Sequence, residues 1–97
     1  MKVEVSPDAR ADLDEIAEFI SDFSPRAALR VADELMDVCL VLLRDNAEIG
    51  PRVADAPSTR SFVKGRYRVW YEILDDRVLI LRIIHTSRDF DRILRER

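Results

Sequence analysis

The stretch from Arg60 to Asp89, RSFVKGRYRVWYEILDDRVLILRIIHTSRD, limits the fold more than any other part of the chain. Two runs rich in β-branched and aromatic residues, Tyr67–Ile73 and Val78–Ile84, flank the turn Leu74-Asp75-Asp76-Arg77. Such runs around an acidic turn predict a β-hairpin. Whether two or four residues form the loop, Ile73 falls opposite Val78. The register then pairs Tyr71 with Ile80, Val69 with Arg82 and Tyr67 with Ile84 on one face. On the other face it pairs Glu72 with Leu79, Trp70 with Leu81, Arg68 with Ile83 and Arg66 with His85. Both faces are apolar through the middle, so the hairpin is expected at the centre of a sheet, covered at least partly on both sides.

The upstream residues read as that cover. Lys2-Val3-Glu4-Val5-Ser6 alternates polar and apolar residues, as a short strand does. Ser6-Pro7 then supplies an N-cap and a first helical residue, with Asp8 in the first turn. Ala9, Leu13, Ile16, Ala17 and Ile20 form one amphipathic stripe, with Asp12, Asp14, Glu15 and Glu18 off it. Ser24-Pro25 repeats the capping pattern and opens a second helix to about Arg44. Its apolar face is Ala28, Val31, Ala32, Leu35, Val38, Cys39 and Leu42, widened by Met36 and Leu43. So brief a connection, Ser21–Ser24, makes an antiparallel helical hairpin. Ile49-Gly50-Pro51 stops the helical pattern and a loop runs to Ser58. Thr59–Val63 reads as a strand, and Thr86 or Ser87 as the cap of a short C-terminal helix through Phe90, Ile93 and Leu94. The expected fold is α+β: a single domain over residues 1–97, β-α-α-β-β-β, with a helical hairpin on a mainly antiparallel four-stranded sheet. Leu35, Leu42, Leu81 and Ile83 are expected between helices and sheet.

Ninety-seven residues support one hydrophobic core. The chain opens on a charged strand-like segment, and no apolar run approaches the roughly 18 residues of a membrane span, so a cytoplasmic protein without membrane contact is expected. The lone Cys39 lies in the apolar run DELMDVCLVLL and reads as a small buried hydrophobe. The net charge of −3 divides unevenly: residues 1–57 carry six Lys/Arg against thirteen Asp/Glu, and residues 58–97 carry ten against six. The excess of positive charge therefore belongs to the sheet and the tail that follows it.

No Gly-rich phosphate loop, paired Cys or His, or nucleophile elbow is present, and no cofactor or metal is called for. His85 with Asp89 supplies too few ligands to hold a metal. The chemistry-bearing feature is basic. Arg66, Arg68, Arg82, Arg88 and His85 converge at the end of the hairpin away from its turn if the register holds, with Arg60 and Lys64 near. Arginines there are either paired internally or form an anion site for phosphate or an acidic peptide. His85 is the natural candidate for a group titrating near neutrality.

The opening SPDARADLDEIAEFI, the segment Gly65-Arg66-Tyr67-Arg68-Val69-Trp70-Tyr71 and the ending Ile80-Leu81-Arg82-Ile83-Ile84-His85-Thr86-Ser87-Arg88-Asp89 resemble, in this order and spacing, the RelE/ParE superfamily of toxins of bacterial type II toxin–antitoxin systems. The likeness spans residues 1 to about 92 and is greatest to the ParE branch. It implies a toxin neutralised by a cognate antitoxin. The ParE branch is associated with poisoning DNA gyrase and provides no catalytic residues to carry over. The RelE branch is associated with cutting mRNA on the ribosome, using basic residues and a C-terminal Tyr or His. Arg68 and Arg88 match its basic positions, but no Tyr follows Tyr71, and Lys64 stands where RelE has several lysines. The expectation is therefore a growth-inhibiting, gyrase-binding toxin without catalysis or sequence-specific nucleic-acid binding. The alternatives are a ribosome-dependent endoribonuclease and a non-toxic module that keeps the fold. An antitoxin tail would fill an apolar groove as an amphipathic helix or an added strand. Phe19, Phe23, Phe62 and Trp70 are the candidate anchors, and acidic residues on the tail would pair with Arg66, Arg68 or Arg82.

Overall fold

The computed structural model describes residues 1–86, so the expected C-terminal helix and Arg88 lie outside the described residues. The elements are β1 (Lys2–Val5), α1 (Pro7–Ser21), α2 (Pro25–Asp45), β2 (Arg52–Val53), β3 (Ala56–Lys64), β4 (Tyr67–Ile73) and β5 (Arg77–His85). The sheet order is β1-β5-β4-β3-β2, with β1 parallel to β5 and the other neighbours antiparallel. The α+β fold with a helical hairpin on the sheet agrees with the expectation. The sheet has five strands and not four, because Arg52–Val53 makes a two-residue strand within the expected loop. The next strand starts at Ala56, three residues earlier than its pattern indicated.

Both helices start where the Ser-Pro pairs place them. Ser6 Oγ accepts from Ala9 N at 3.1 Å and Ser24 Oγ accepts from Ala27 N at 3.2 Å, so each hydroxyl satisfies a donor that the first turn leaves open. The turn between them is closed by Phe23 N and Ser24 N donating to Ile20 O. The helices bury one side against the sheet. Ala9, Leu35, Cys39 and Leu43 meet Val69, Tyr71, Val78, Ile80 and Ile83 in the main core. Leu43 is fully buried and Leu42 only half-buried, which reverses the expected depth of the two at this end of α2. A rotation of one residue on a helix, about 100°, is enough to exchange them.

The β4–β5 register follows the expectation from Ile73↔Val78 through Tyr71↔Ile80 and then departs from it. Trp70 faces Arg82, Val69 faces Ile83, Arg68 faces Ile84 and Tyr67 faces His85. Leu81 is the extra residue of a β-bulge, which flips the side-chain parity of all that follows. Ile83 therefore joins the main core, whereas Leu81 and Ile84 pack with Trp70 in a second cluster with Val53 and Leu79. Leu81 is buried as expected but in the cluster away from the helices. The run VLILRII is apolar at almost every position, so alternation alone could not locate the bulge.

Candidate interaction site

Six of the seven basic residues singled out in the sequence are described, and those six do not form one cluster. Gly65, at φ +62°, makes the β3–β4 turn in the left-handed region that glycine adopts without strain. Lys64 and Arg66 stand exposed on either side of it. Arg68 is half-buried beside them, and its Nη1 donates to Ser61 Oγ at 3.0 Å. These three share one end of the sheet with His85, which faces Tyr67 across the strands and meets its ring edge-on at 5.6 Å.

Arg60 lies in the middle of β3, across from Tyr71. Its guanidinium donates to Gly50 O at 2.9 Å. The Tyr71 hydroxyl donates to Ala47 O at 2.7 Å and accepts from Gly50 N at 2.9 Å. Together they fasten the loop after α2, and burial pushes the Tyr71 phenol above its ordinary range. Gly50 permits this close approach: a Cβ there would sit 2.5 Å from Ser61 O and 3.0 Å from the Tyr71 hydroxyl.

Arg82 is claimed by α1. Its Nε and Nη2 donate to the two carboxylate oxygens of Asp12 at 2.8 and 3.0 Å. The same carboxylate accepts from Ile83 N at 2.9 Å. The hydrogen bond to Asp12 holds the guanidinium still more firmly protonated than usual. Asp12 is buried and not on the solvent side of α1, where the apolar stripe had left it. A bidentate pair that also takes a backbone N–H leaves few unmet polar groups, the condition under which a buried charge is tolerated. A lone arginine within VLILRII was the signal in the sequence that a carboxylate must come to meet it.

The four aromatic candidates separate as well. Trp70 is fully buried in the second cluster, and Phe62 packs edge-on against Tyr71 at 6.0 Å beside the main core. Phe19 and Phe23 are 65% and 79% exposed near the C-terminal end of α1, in edge contact at 5.5 Å. Phe19 also lines a groove of about 520 Å³ between α1 and the far ends of β4 and β5. Ile16, Phe19 and Tyr67 give it apolar walls; Glu15, Glu18 and Asp22 line it along α1, and His85 lines it on β5. Those carboxylates lie three and four residues apart, so they follow one another along the same side of the helix.

Cys39 is fully buried in the main core, and burial pushes its thiol up to about 11. A thiol so placed stays protonated at neutral pH and is no nucleophile. With Tyr71 holding a loop and Arg82 holding Asp12, the side chains with proton-donating chemistry act mainly as fastenings. The open features are the groove and the Lys64–Arg66 turn.

A family model described as "ParE toxin of type II toxin-antitoxin system, parDE" matches residues 3–90. Among solved structures, a chain of the chromosomal ParDE toxin–antitoxin system from P. aeruginosa superposes with a TM-score of 0.75 at 22% identity, over 90% of this chain and 97% of that one. A chain of the RelBE2 toxin–antitoxin complex from Mycobacterium tuberculosis superposes with a TM-score of 0.66 at 25% identity, over 90% and 92%. No curated protein sequence matches this chain.

Proposed function

Because this chain belongs to the ParE family of type II toxins, we propose that it arrests growth in the cytoplasm by binding DNA gyrase and is neutralised by a cognate antitoxin. The observation that favours binding over cleavage is the engagement of Arg68, the described residue that matches a basic position of the RelE branch. A ribonuclease of the RelE kind needs cationic groups facing the scissile phosphate, and Arg68 is half-buried and donates to Ser61 Oγ at 3.0 Å. The net charge of −3 also disfavours strong contact with an RNA backbone. The gyrase assignment rests on the resemblance to the ParE branch. Neutralisation by a separate antitoxin draws support from the two solved relatives, each taken from a toxin–antitoxin system.

A second reading, a ribosome-dependent endoribonuclease, is favoured by the likeness to the RelBE2 chain. Induction of the chain without its antitoxin separates the two. Gyrase poisoning gives double-strand breaks, DNA-damage signalling and filamentation with bulk mRNA intact. Ribosome-dependent mRNA cuts that precede any DNA damage would replace the first reading with the second. Growth unaffected in the native host would reduce the protein to a non-toxic binding module.

A further inference from the structure

The groove beside α1 has the charge opposite to the one that the basic end of the sheet suggested for a partner. Its apolar walls run on to the exposed Phe19–Phe23 pair, and large exposed aromatics in contact with each other mark an interaction surface. Its helical side carries Glu15, Glu18 and Asp22, all three exposed. A fourth carboxylate in the groove, Asp12, is neutralised by Arg82. At its other wall the edge of β5 that faces away from β4 has no strand neighbour beyond Ile80 among the described residues, since β1 ends at Val5.

From this charge and shape we infer that the antitoxin segment seated here is a basic amphipathic one. It places apolar side chains on Phe19 and Tyr67 and aligns Lys or Arg with Glu18 and Asp22. An acidic tail would meet like charge at Glu18 and Asp22, and juxtaposed like charges are a strong bar to association. The inference rests on the proposed neutralisation by an antitoxin and adds the chemistry of the segment and its place on the toxin.

The test uses the full-length chain and two amphipathic model helices with the same leucine stripe, one carrying lysine and the other glutamate on its polar face. Fluorescence anisotropy is expected to show the lysine helix binding at least tenfold more tightly, with affinity falling as salt rises. The double variant Glu18→Gln, Asp22→Asn should lose about tenfold, the sum expected of two exposed charge pairs. It should still fold, because removing carboxylates near a helix C-terminus relieves the helix dipole. Phe19→Ser should weaken both helices. Tighter binding of the glutamate helix, or a lysine helix indifferent to the double variant, would overturn the inference. So would lysine-helix binding that appears only after Phe90, Ile93 and Leu94 are replaced by serine, because the chain's own C-terminal residues would then be the occupant. A second arm measures neutralisation by the product of the adjacent gene. If that protein fails to bind the parent chain while the lysine helix binds as expected, the antitoxin reading falls and the groove's chemistry stands.

Discussion

Two acid–arginine pairs fasten β5 to the elements before it, one at each end of the strand. Near its start, Arg77 Nε lies 2.9 Å from Glu4 on β1, with side chains 35% and 43% exposed. Near its far end, Arg82 Nε lies 2.8 Å from Asp12 on α1, with side chains 25% and 7% exposed. The distances are nearly equal and the consequences are not. Arg77 Nε approaches Glu4 without the alignment of a hydrogen bond and has no hydrogen-bond partner among the described residues. Asp12 receives two aligned guanidinium bonds and a backbone N–H. The first half of β5 is already fixed by backbone pairing with β1, from Lys2↔Arg77 to Val5↔Ile80, so its ion pair adds little. Beyond that point Ser6 takes over, donating from N to Ile80 O and from Oγ to Leu81 O, and Asp12 then accepts from Ile83. A side chain on α1 does there what a neighbouring strand does elsewhere in the sheet.

The largest expected effect breaks this substitute edge. Asp12→Ala strands the Arg82 guanidinium and leaves the Ile83 N–H without its acceptor, and removing one partner of a buried pair typically costs about 3–5 kcal/mol. The lower end, about 3 kcal/mol, is expected because Arg82 keeps some access to water. Chemical denaturation of purified protein measures it; a loss below about 1 kcal/mol, the scale of an exposed pair, would erase the contrast between the two ends.

A smaller effect separates charge from edge pairing. Asp12→Asn keeps a carbonyl oxygen for Ile83 N while removing the negative charge, and a cost of about 1–2 kcal/mol is expected. Amide exchange then distinguishes the roles. In Asp12→Ala the Ile83 amide should exchange faster by a larger factor than the Ser6 amide, which keeps its acceptor at Ile80 O. Equal acceleration of both would mean that Asp12 acts on global stability and not on the strand edge.

The same contrast explains what could be read in the sequence. The helix starts were legible because Ser6-Pro7 and Ser24-Pro25 carry their own capping chemistry, and the hairpin because its turn is local. The bulge at Leu81 was not legible. A strand apolar on both faces gives no penalty for a one-residue slip until tertiary packing chooses between Ile83 and Ile84 for the main core. Once the slip is missed, Arg82 is placed with Arg66 and Arg68 and its carboxylate goes unsought. The aromatics were only partly legible for a related reason. Phe19 and Trp70 look alike as large residues outside a stripe, and only the packing leaves one 65% exposed and buries the other.

The smallest effect belongs to the first end of β5. Glu4→Gln removes the charge facing Arg77 and keeps a side chain of the same shape on β1. Both side chains are partly exposed, Arg77 retains Asp76 at 2.9 Å from its Nη1, and the backbone register with β1 is untouched. Exposed pairs of this kind contribute about 0.2–1 kcal/mol, and the poor alignment at Nε places this one near the bottom, at about 0.3 kcal/mol. Salt supplies the sharper readout. The difference between parent and Glu4→Gln should vanish by roughly 1 M salt, where screening acts over about 3 Å, whereas the cost of Asp12→Ala should persist because its pair is shielded from solvent. A Glu4→Gln cost as large as that of Asp12→Asn and equally indifferent to salt would show that the 2.9 Å contact is a full ion pair. Distance, and not burial or a backbone donor, would then be what sets the strength of both fastenings.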